Sequence, residues 1–159
     1  MKTRLHPSVW IVIGATLLGV FCAGCDQRNV HSAYREIHGA ARDGDVAQVA
    51  GDLTQNPDDL NLPDDAGLTP LHLAASHCHT NVVTLLLDKG AKIDYPAKDG
   101  ATPLHLAAQE GCADAVDLFL ARGALVNARD NQKRTPFVRA QQWHQDSTVQ
   151  LLRQHGGTE

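Results

Sequence analysis

The sequence repeats itself at a fixed interval of 33 residues. Thr-Pro-Leu-His at 69–72 returns at 102–105, and Thr-Pro-Phe follows at 135–137. A period between about 20 and 50 residues indicates supersecondary units that stack in series, each packing only against its neighbours. Function in such a chain usually lies in a surface that extends over several units. The period therefore favours binding over catalysis in a cleft.

Composition agrees with stacked helices. Aromatic residues make up 4% of the 159 residues, and alanine and leucine supply most of the apolar content, which suits small, closely packed helices. A chain of this length has room for one modest domain. Its formal net charge is −4, and without Lys2 and Arg4 it would be 12 − 18 = −6. This acidic balance argues against a nucleic-acid partner.

The charge is distributed unevenly along the chain. Residues 26–65 hold 9 acidic and 3 basic side chains, whereas residues 118–159 hold 6 basic and 3 acidic ones. The asymmetry is compatible with two solvated faces that have no specific partner. The alternative is a lengthwise dipole that orients a charged protein partner.

The first residues have the pattern of a secretory leader. Two basic residues, Lys2 and Arg4, precede an apolar run from Val9 to Phe21, and small residues follow it. This pattern predicts a cleaved signal peptide, because the run is shorter than the roughly 20 apolar residues of a transmembrane helix. An uncleaved anchor is the alternative.

The sequence Ala23-Gly24-Cys25 resembles a bacterial lipobox, in which the chain is cut before a cysteine that then carries acyl chains. The leucine usual three residues before that cysteine is Cys22 here. The resemblance implies lipidation at Cys25 and a lipid-anchored protein on the periplasmic face of a membrane in the bacterial envelope. Asp26 resembles the signal for retention at the inner membrane. About seven residues then lead to the first predicted helix, a reach of roughly 25 Å when extended.

Two units agree at many positions. Residues 66–97 read AGLTPLHLAASHCHTNVVTLLLDKGAKIDYPA, and residues 99–129 read DGATPLHLAAQEGCADAVDLFLARGALVNAR. Both resemble ankyrin repeats, and the resemblance implies a β-turn followed by two antiparallel helices in each unit. The expected fold is an all-α solenoid of about four ankyrin repeats, including degenerate caps at both ends.

The recurring positions have physical roles. Threonine caps the first helix, proline occupies its first position, where a missing N–H costs nothing, and glycine supplies a left-handed C-cap. These positions are Thr69, Thr102 and Thr135, Pro70, Pro103 and Pro136, and Gly90, Gly123 and Gly156. The resemblance implies that His72 and His105 hydrogen-bond backbone groups between neighbouring repeats. Apolar stripes are predicted at Leu71, Leu73, Ala74, Leu104, Leu106 and Ala107, and at Val82, Val83, Leu85, Leu86, Ala115, Val116, Leu118 and Phe119.

The end units depart from the pattern. Arg139, Gln141 and Arg153 stand where the preceding unit has leucine or alanine, which predicts a C-terminal cap whose polar face meets water. Residues 34–46 resemble an N-terminal capping helix pair that aligns with the next unit at either 33 or 34 residues. The run Asn56–Asp59 predicts a helix stop and a turn.

The predicted organisation has three parts. Residues 1–24 form the signal peptide, 25–31 the lipidated cysteine and tether, and 32–157 the ankyrin-repeat domain. Within that domain the units are 32–64, 65–97, 98–130 and 131–157.

The cysteines and histidines do not form a pattern typical of catalysis or metal binding. Neighbouring helices pack about 8–10 Å apart, whereas a disulfide needs Cα atoms within about 7 Å, so Cys78 and Cys112 are expected to be two thiols rather than a disulfide. His77, Cys78 and His79 lack the paired spacing of zinc ligands. No serine has the flanks of a nucleophile elbow, and no phosphate-binding loop is present. We expect no enzyme activity, no metal, no cofactor and no small-molecule substrate.

The resemblance implies a binding surface on the hairpin tips and the exposed side of each first helix. Trp143 has two interpretations there, as an interface residue or as a cover for the end of the stack. The residues in these positions are Asp65, Ala66, Leu68, Ser76, His77, Lys98, Asp99, Ala101, Gln109, Glu110, Asn131, Gln132, Arg134, Gln142 and Trp143.

The expected function is a lipid-anchored periplasmic module that binds another protein. Narrower alternatives are an immunity or adaptor protein for a secreted effector and a protein of envelope or oxidative-stress maintenance. A metal or redox protein acting through His77, Cys78, His79 and Cys112 is a third class.

Overall fold

A computed structural model describes residues 36–159. The predicted leader, the lipidation at Cys25, the tether and the start of the first unit lie outside the described residues. Within residues 36–159 the chain is helical and has no β-strand. None of the helices in that range has the length and hydrophobicity required to cross a bilayer.

Within residues 36–159, eight α-helices and one 3-10 helix follow one another. α1 is described over 36–43, α2 is Val46–Gln55, and a 3-10 helix spans Pro57–Asn61. The others are α3 Pro70–Ser76, α4 Thr80–Asp88, α5 Pro103–Glu110, α6 Ala113–Ala121, α7 Pro136–Gln142 and α8 Asp146–Gln154.

The helices stack in two layers. The first helices of successive units pack on one another as α3, α5 and α7, and the second helices do so as α2, α4, α6 and α8. Each of the last three units is closed by the contact between its own two helices. This arrangement confirms the predicted all-α repeat fold, in which every unit meets only its neighbours.

Two positions that are equivalent from one unit to the next contribute to the core between the layers. Leu53, Leu86, Phe119 and Leu152 follow one another at the 33-residue interval and are at most 7% exposed. A second series at Val49, Val82, Ala115 and Thr148 is equally enclosed. Burying these faces stabilises the stack by about 25 cal/mol per Å² of apolar surface.

The first unit combines both alignments that the sequence allows. Ile37 and Ala41 in α1 stand 34 residues before Leu71 and Ala75, and all four are buried. Leu53 near the end of α2 stands 33 residues before Leu86. Because positions three and four apart share a helix face, α2 absorbs the extra residue without losing its contacts. It is 10 residues long, against 9 in α4.

Each complete first helix begins as predicted, with threonine as N-cap and proline in the first turn. Thr69 and Thr102 form capping boxes with His72 and His105. The predicted C-terminal glycines have left-handed φ values of 90°, 86° and 82° at Gly90, Gly123 and Gly156. The helix stop at Asn56 is confirmed, but a 3-10 helix follows it rather than a simple turn.

The two histidines join neighbouring units. Nε2–H of His72 donates to the Ala101 carbonyl at 3.1 Å, while Nδ1 accepts from the Thr69 amide at 3.1 Å. His105 makes the same bonds to the Arg134 carbonyl and the Thr102 amide. Burial disfavours the charged ring and lowers the pKa of His72 to about 4, although the bond to the Ala101 carbonyl acts in the opposite direction. The structural role implied by the resemblance is confirmed.

A disulfide joins Cys78 to Cys112, with 5.1 Å between the Cα atoms. The expectation of two thiols is therefore wrong. It used the distance between helix axes, whereas both cysteines lie in the turns between helices. In these turns the Cα atoms of the two cysteines lie closer together than the axes of packed helices do.

Candidate functional site

A groove runs along the first helices beneath the tips of the hairpins. It encloses about 810 Å³. Its lining comes from the middle units and from one residue of the last, and we call this surface the groove. The lining residues are Ala66, Leu68, Leu73, Ser76, His77, Ala97, Lys98, Asp99, Leu106, Gln109, Glu110 and Arg139.

The floor of the groove is one position of the repeat. Leu73, Leu106 and Arg139 follow at 33-residue intervals on the same face of α3, α5 and α7. The two leucines belong to the predicted apolar stripes, and each is half-buried. Their other side faces the groove and leaves apolar surface open to a ligand. The period of 33 was the signal that could have identified this floor.

Arg139 is buried, which corrects the expectation that it faces water. Its side chain is 4% exposed. Nε and Nη2 donate to Oδ2 of Asp130 at 3.0 and 2.8 Å, and Nη2 also donates to Asp99 at 2.9 Å. Nη1 donates to Gln109 at 3.3 Å. Gln141 and Arg153, the other two polar replacements, are exposed as predicted.

Arg139 holds the carboxylates of Asp130 and Asp99 in their charged form. Burial of the Asp130 carboxylate opposes its charge, but hydrogen bonds from Arg139 and Arg134 outweigh burial and lower the pKa of Asp130 to about 2. For Asp99, burial is likewise outweighed, by the Ala101 amide and by Arg139, and its pKa is lowered. The network therefore fixes one end of the groove as a paired, charged structure at neutral pH.

The hairpin tips are joined into a continuous wall. The amide of Lys98 donates to the Ala66 carbonyl at 3.1 Å, and the amide of Asn131 donates to the Asp99 carbonyl at 2.9 Å. A Cβ at Gly67 would lie 2.7 Å from the Lys98 amide nitrogen, and one at Gly100 would lie 2.6 Å from Oδ1 of Asn131. Glycine at these two positions lets successive tips touch.

Eight of the residues predicted to bind protein line the groove: Ala66, Leu68, Ser76, His77, Lys98, Asp99, Gln109 and Glu110. The others lie outside its lining. Asp65, Asn131, Gln132, Gln142 and Trp143 are exposed and Arg134 is half-buried. Ala101 is 1% exposed, so its place on the predicted surface is corrected. Its carbonyl instead accepts the His72 bond.

Trp143 is 57% exposed at the C-terminal end of α7. This exposure leaves most of the ring uncovered by the stack and available to a partner. It belongs to the last unit, which also carries the excess of basic side chains.

Among the described residues, the fold brings no set of metal ligands together at the turn that contains His77, Cys78 and His79. His77 and His79 stack with ring centroids 6.2 Å apart, and the cysteines beside them are used in the disulfide. Across residues 36–159, no three histidine, cysteine or acidic side chains are grouped to hold a metal ion. The hydroxyl of Ser76 donates to the Leu73 carbonyl at 3.0 Å, so that proton is already used in a structural bond.

A family model described as ankyrin repeats (3 copies) matches the chain over residues 37–130 and again over residues 98–159. Together these matches cover all the units that form the groove.

Proposed function

We propose that this chain, which belongs to the ankyrin-repeat family, binds a protein partner in the groove. Members of this family are protein–protein interaction modules. The proposal also places the chain outside the cytoplasm, where a lipid anchors it. The observation that carries this proposal is the half-buried apolar floor between polar walls. A preformed concave surface of this kind binds with little loss of conformational freedom.

The shape and the charges of the groove walls favour a protein ligand over a small molecule. The groove is open along its length and crosses two units, and its rim alternates Lys98 and Asp99 with Gln109 and Glu110. Mixed charges around an apolar centre are the usual anatomy of protein interfaces. Leu73 and Leu106 would supply the apolar contact.

The location rests on two features. The leader pattern and the lipobox-like Ala23-Gly24-Cys25 support export and acylation. The disulfide supports an oxidising compartment, because such bonds are rare in the cytosol of most organisms. Two or more acyl chains on Cys25 would hold the protein at a bilayer stably, whereas a single chain would not.

The groove is tested with a matched pair of leucine variants. Leu106→Glu places a carboxylate on the apolar floor, and Leu125→Glu places one on an exposed leucine outside the groove, which is 61% exposed. Wild type and the Leu125 variant should capture the same protein from solubilised membranes, and the Leu106 variant should lose it at least tenfold. Thermal melts monitored by circular dichroism confirm that all three are folded. Undiminished capture by the Leu106 variant would remove the groove from the proposal.

The anchor is tested by fractionation and by labelling with an alkyne fatty acid. Cys25→Ser removes the acylated thiol and should leave the protein unlabelled and unprocessed. Cys22→Leu restores the aliphatic residue usual in a lipobox and should keep both the label and the membrane fraction. A Cys25→Ser protein that still carries the label would rule out this site of lipidation.

A further inference from the structure

Successive inter-helix turns are bridged by one position of the repeat. His79, Cys112 and Gln145 follow at 33-residue intervals and are the N-caps of α4, α6 and α8. Each reaches back to the preceding unit, at the end of its first helix. Nε2–H of His79 donates to the Arg42 carbonyl at 2.8 Å, and Nε2 of Gln145 donates to the Gln109 carbonyl at 3.2 Å. In the middle, Cys112 makes the bridge through the disulfide.

We propose that the Cys78–Cys112 disulfide is a thiol–disulfide exchange site, at which a protein dithiol attacks the Cys78 sulfur, and that opening this bond loosens the adjoining end of the groove.

The two cysteines differ in access. Cys78 is exposed, whereas Cys112 is 4% exposed. Two surface cavities, of about 330 and 230 Å³, are both bordered by Cys78. Cys112 borders the larger cavity as well, but it is almost fully buried. An incoming thiolate can therefore approach Cys78 from either cavity and meets little exposed surface of Cys112. Access decides which sulfur of a disulfide is attacked.

The exchange balances as follows. A thiolate of the dithiol attacks the Cys78 sulfur, the bond to Cys112 breaks, and Cys112 leaves as a thiolate that takes up a proton. The second thiol of the dithiol then loses its proton and attacks the mixed disulfide at the dithiol's own sulfur, which releases Cys78. Two electrons pass from the dithiol, which becomes a disulfide, to the protein, which gains two thiols.

In both of the units that it joins, the disulfide lies next to residues that line the groove. Ser76 and His77 precede Cys78, Gln109 and Glu110 come just before Cys112, and all four line the groove. Cys78 has a left-handed φ of 58°, which a residue with a side chain rarely adopts. A reduced Cys112 is only a weak hydrogen-bonding group, so it does not replace the bridge that His79 and Gln145 make elsewhere. Reduction therefore releases the middle turns alone.

The attack site is tested on the intact oxidised protein. The probe is thioredoxin whose second active-site cysteine is replaced by serine, so that the mixed disulfide is trapped. Peptide mapping should find the adduct on Cys78 at least tenfold more often than on Cys112. In guanidinium both cysteines should react, which shows that the probe is competent. An absent adduct on the native protein, or equal labelling of both cysteines, would overturn the assignment.

The effect on the groove is tested by hydrogen exchange with and without excess phosphine reductant. Amides at 76–79 and 109–112 should exchange at least tenfold faster after reduction, while those of α2 stay unchanged. Uniform acceleration along the chain, or none, would show that the bond does not control the groove. Neither readout needs the partner, so each can fail or succeed independently of the proposed binding function.

Discussion

Arg139 shows how one residue can depart from a repeat pattern without leaving the core. It stands where the preceding units have leucine, and a charge there was predicted to face water. The structure instead encloses it with Asp130 and Asp99. These carboxylates lie 9 and 40 residues away, so helix periodicity carried no signal for them. Removing one partner from such a pair costs more than the pair contributes, because the remaining charge is buried.

Replacing Arg139 by methionine should therefore destabilise the protein by about 3 kcal/mol. The substitution keeps an unbranched apolar stem but removes the guanidinium, which leaves Asp130, whose side chain is 0% exposed, with only Arg134 as an ionic partner. Arg129→Met is the control, because Arg129 is exposed and contacts only the Lys133 carbonyl at 3.4 Å. Urea unfolding of both variants measures the difference. A loss below about 1 kcal/mol for Arg139→Met would contradict the buried network.

His72 makes stability depend on pH. Burial lowers its pKa to about 4 and lowers that of His105, whereas an unfolded histidine titrates near 6.5. Between these values the unfolded chain binds more protons, so the free energy of unfolding falls as the pH falls. Asp52 and Asp59 act in the opposite direction, because burial raises their pKa values and protonation then favours the folded state.

We expect the free energy of unfolding to drop between pH 7 and pH 5, with about 2 kcal/mol of the loss arising from His72. The double variant Asp52→Asn, Asp59→Asn removes the two opposing carboxylates, so its drop should be at least as steep as that of the wild type. Urea titrations at four pH values measure both slopes. Stability that rises toward pH 5 in the double variant would show that the histidines do not control this range.

At the scale of the elements, the sequence predicted where helices begin better than how their ends meet. Prolines at 70, 103 and 136 mark the first residues of α3, α5 and α7, because proline fits only the first turn. The disulfide was missed because it depends on the separation of two turns. That separation follows from the stacking of whole units and has no signature in local spacing.

The disulfide closes a loop between residues 34 apart, which should contribute about 3–4 kcal/mol by restricting the unfolded chain. The double variant Cys78→Gly, Cys112→Ala is the appropriate test, because glycine accepts the left-handed φ as Gly111 does at the equivalent position. Its free energy of unfolding should match that of the wild type in reductant, and reductant should leave the variant unaffected. Equal stability of the variant and the oxidised wild type would contradict this contribution.

For the whole molecule, the 33-residue period predicted units that stack in series, and the resemblance to ankyrin repeats implied that each unit is a pair of helices. The groove was predicted only in part. Ser76 and Glu110 were identified from the resemblance, whereas Leu73 and Leu106 were predicted only as members of apolar stripes. Whether a half-buried leucine faces a neighbour or a groove depends on the angle between units, which the pattern of one unit does not contain.

A stack stabilised by neighbours should respond differently to the same defect in its middle and at its end. Leu86 and Leu152 occupy equivalent positions in α4 and α8 and are both 0% exposed, so Leu→Ala at either site removes about 2–5 kcal/mol. The unit of Leu86 contacts neighbours on both sides, whereas the unit of Leu152 closes the C-terminal end of the described stack. Hydrogen exchange should therefore show that Leu152→Ala opens α7 and α8 while the amides of α2 stay protected. Leu86→Ala should expose the amides of α2 as well. If both variants lost protection evenly along residues 36–159, the units would be unfolding as one body, and stability could not be assigned to the separate interfaces between them.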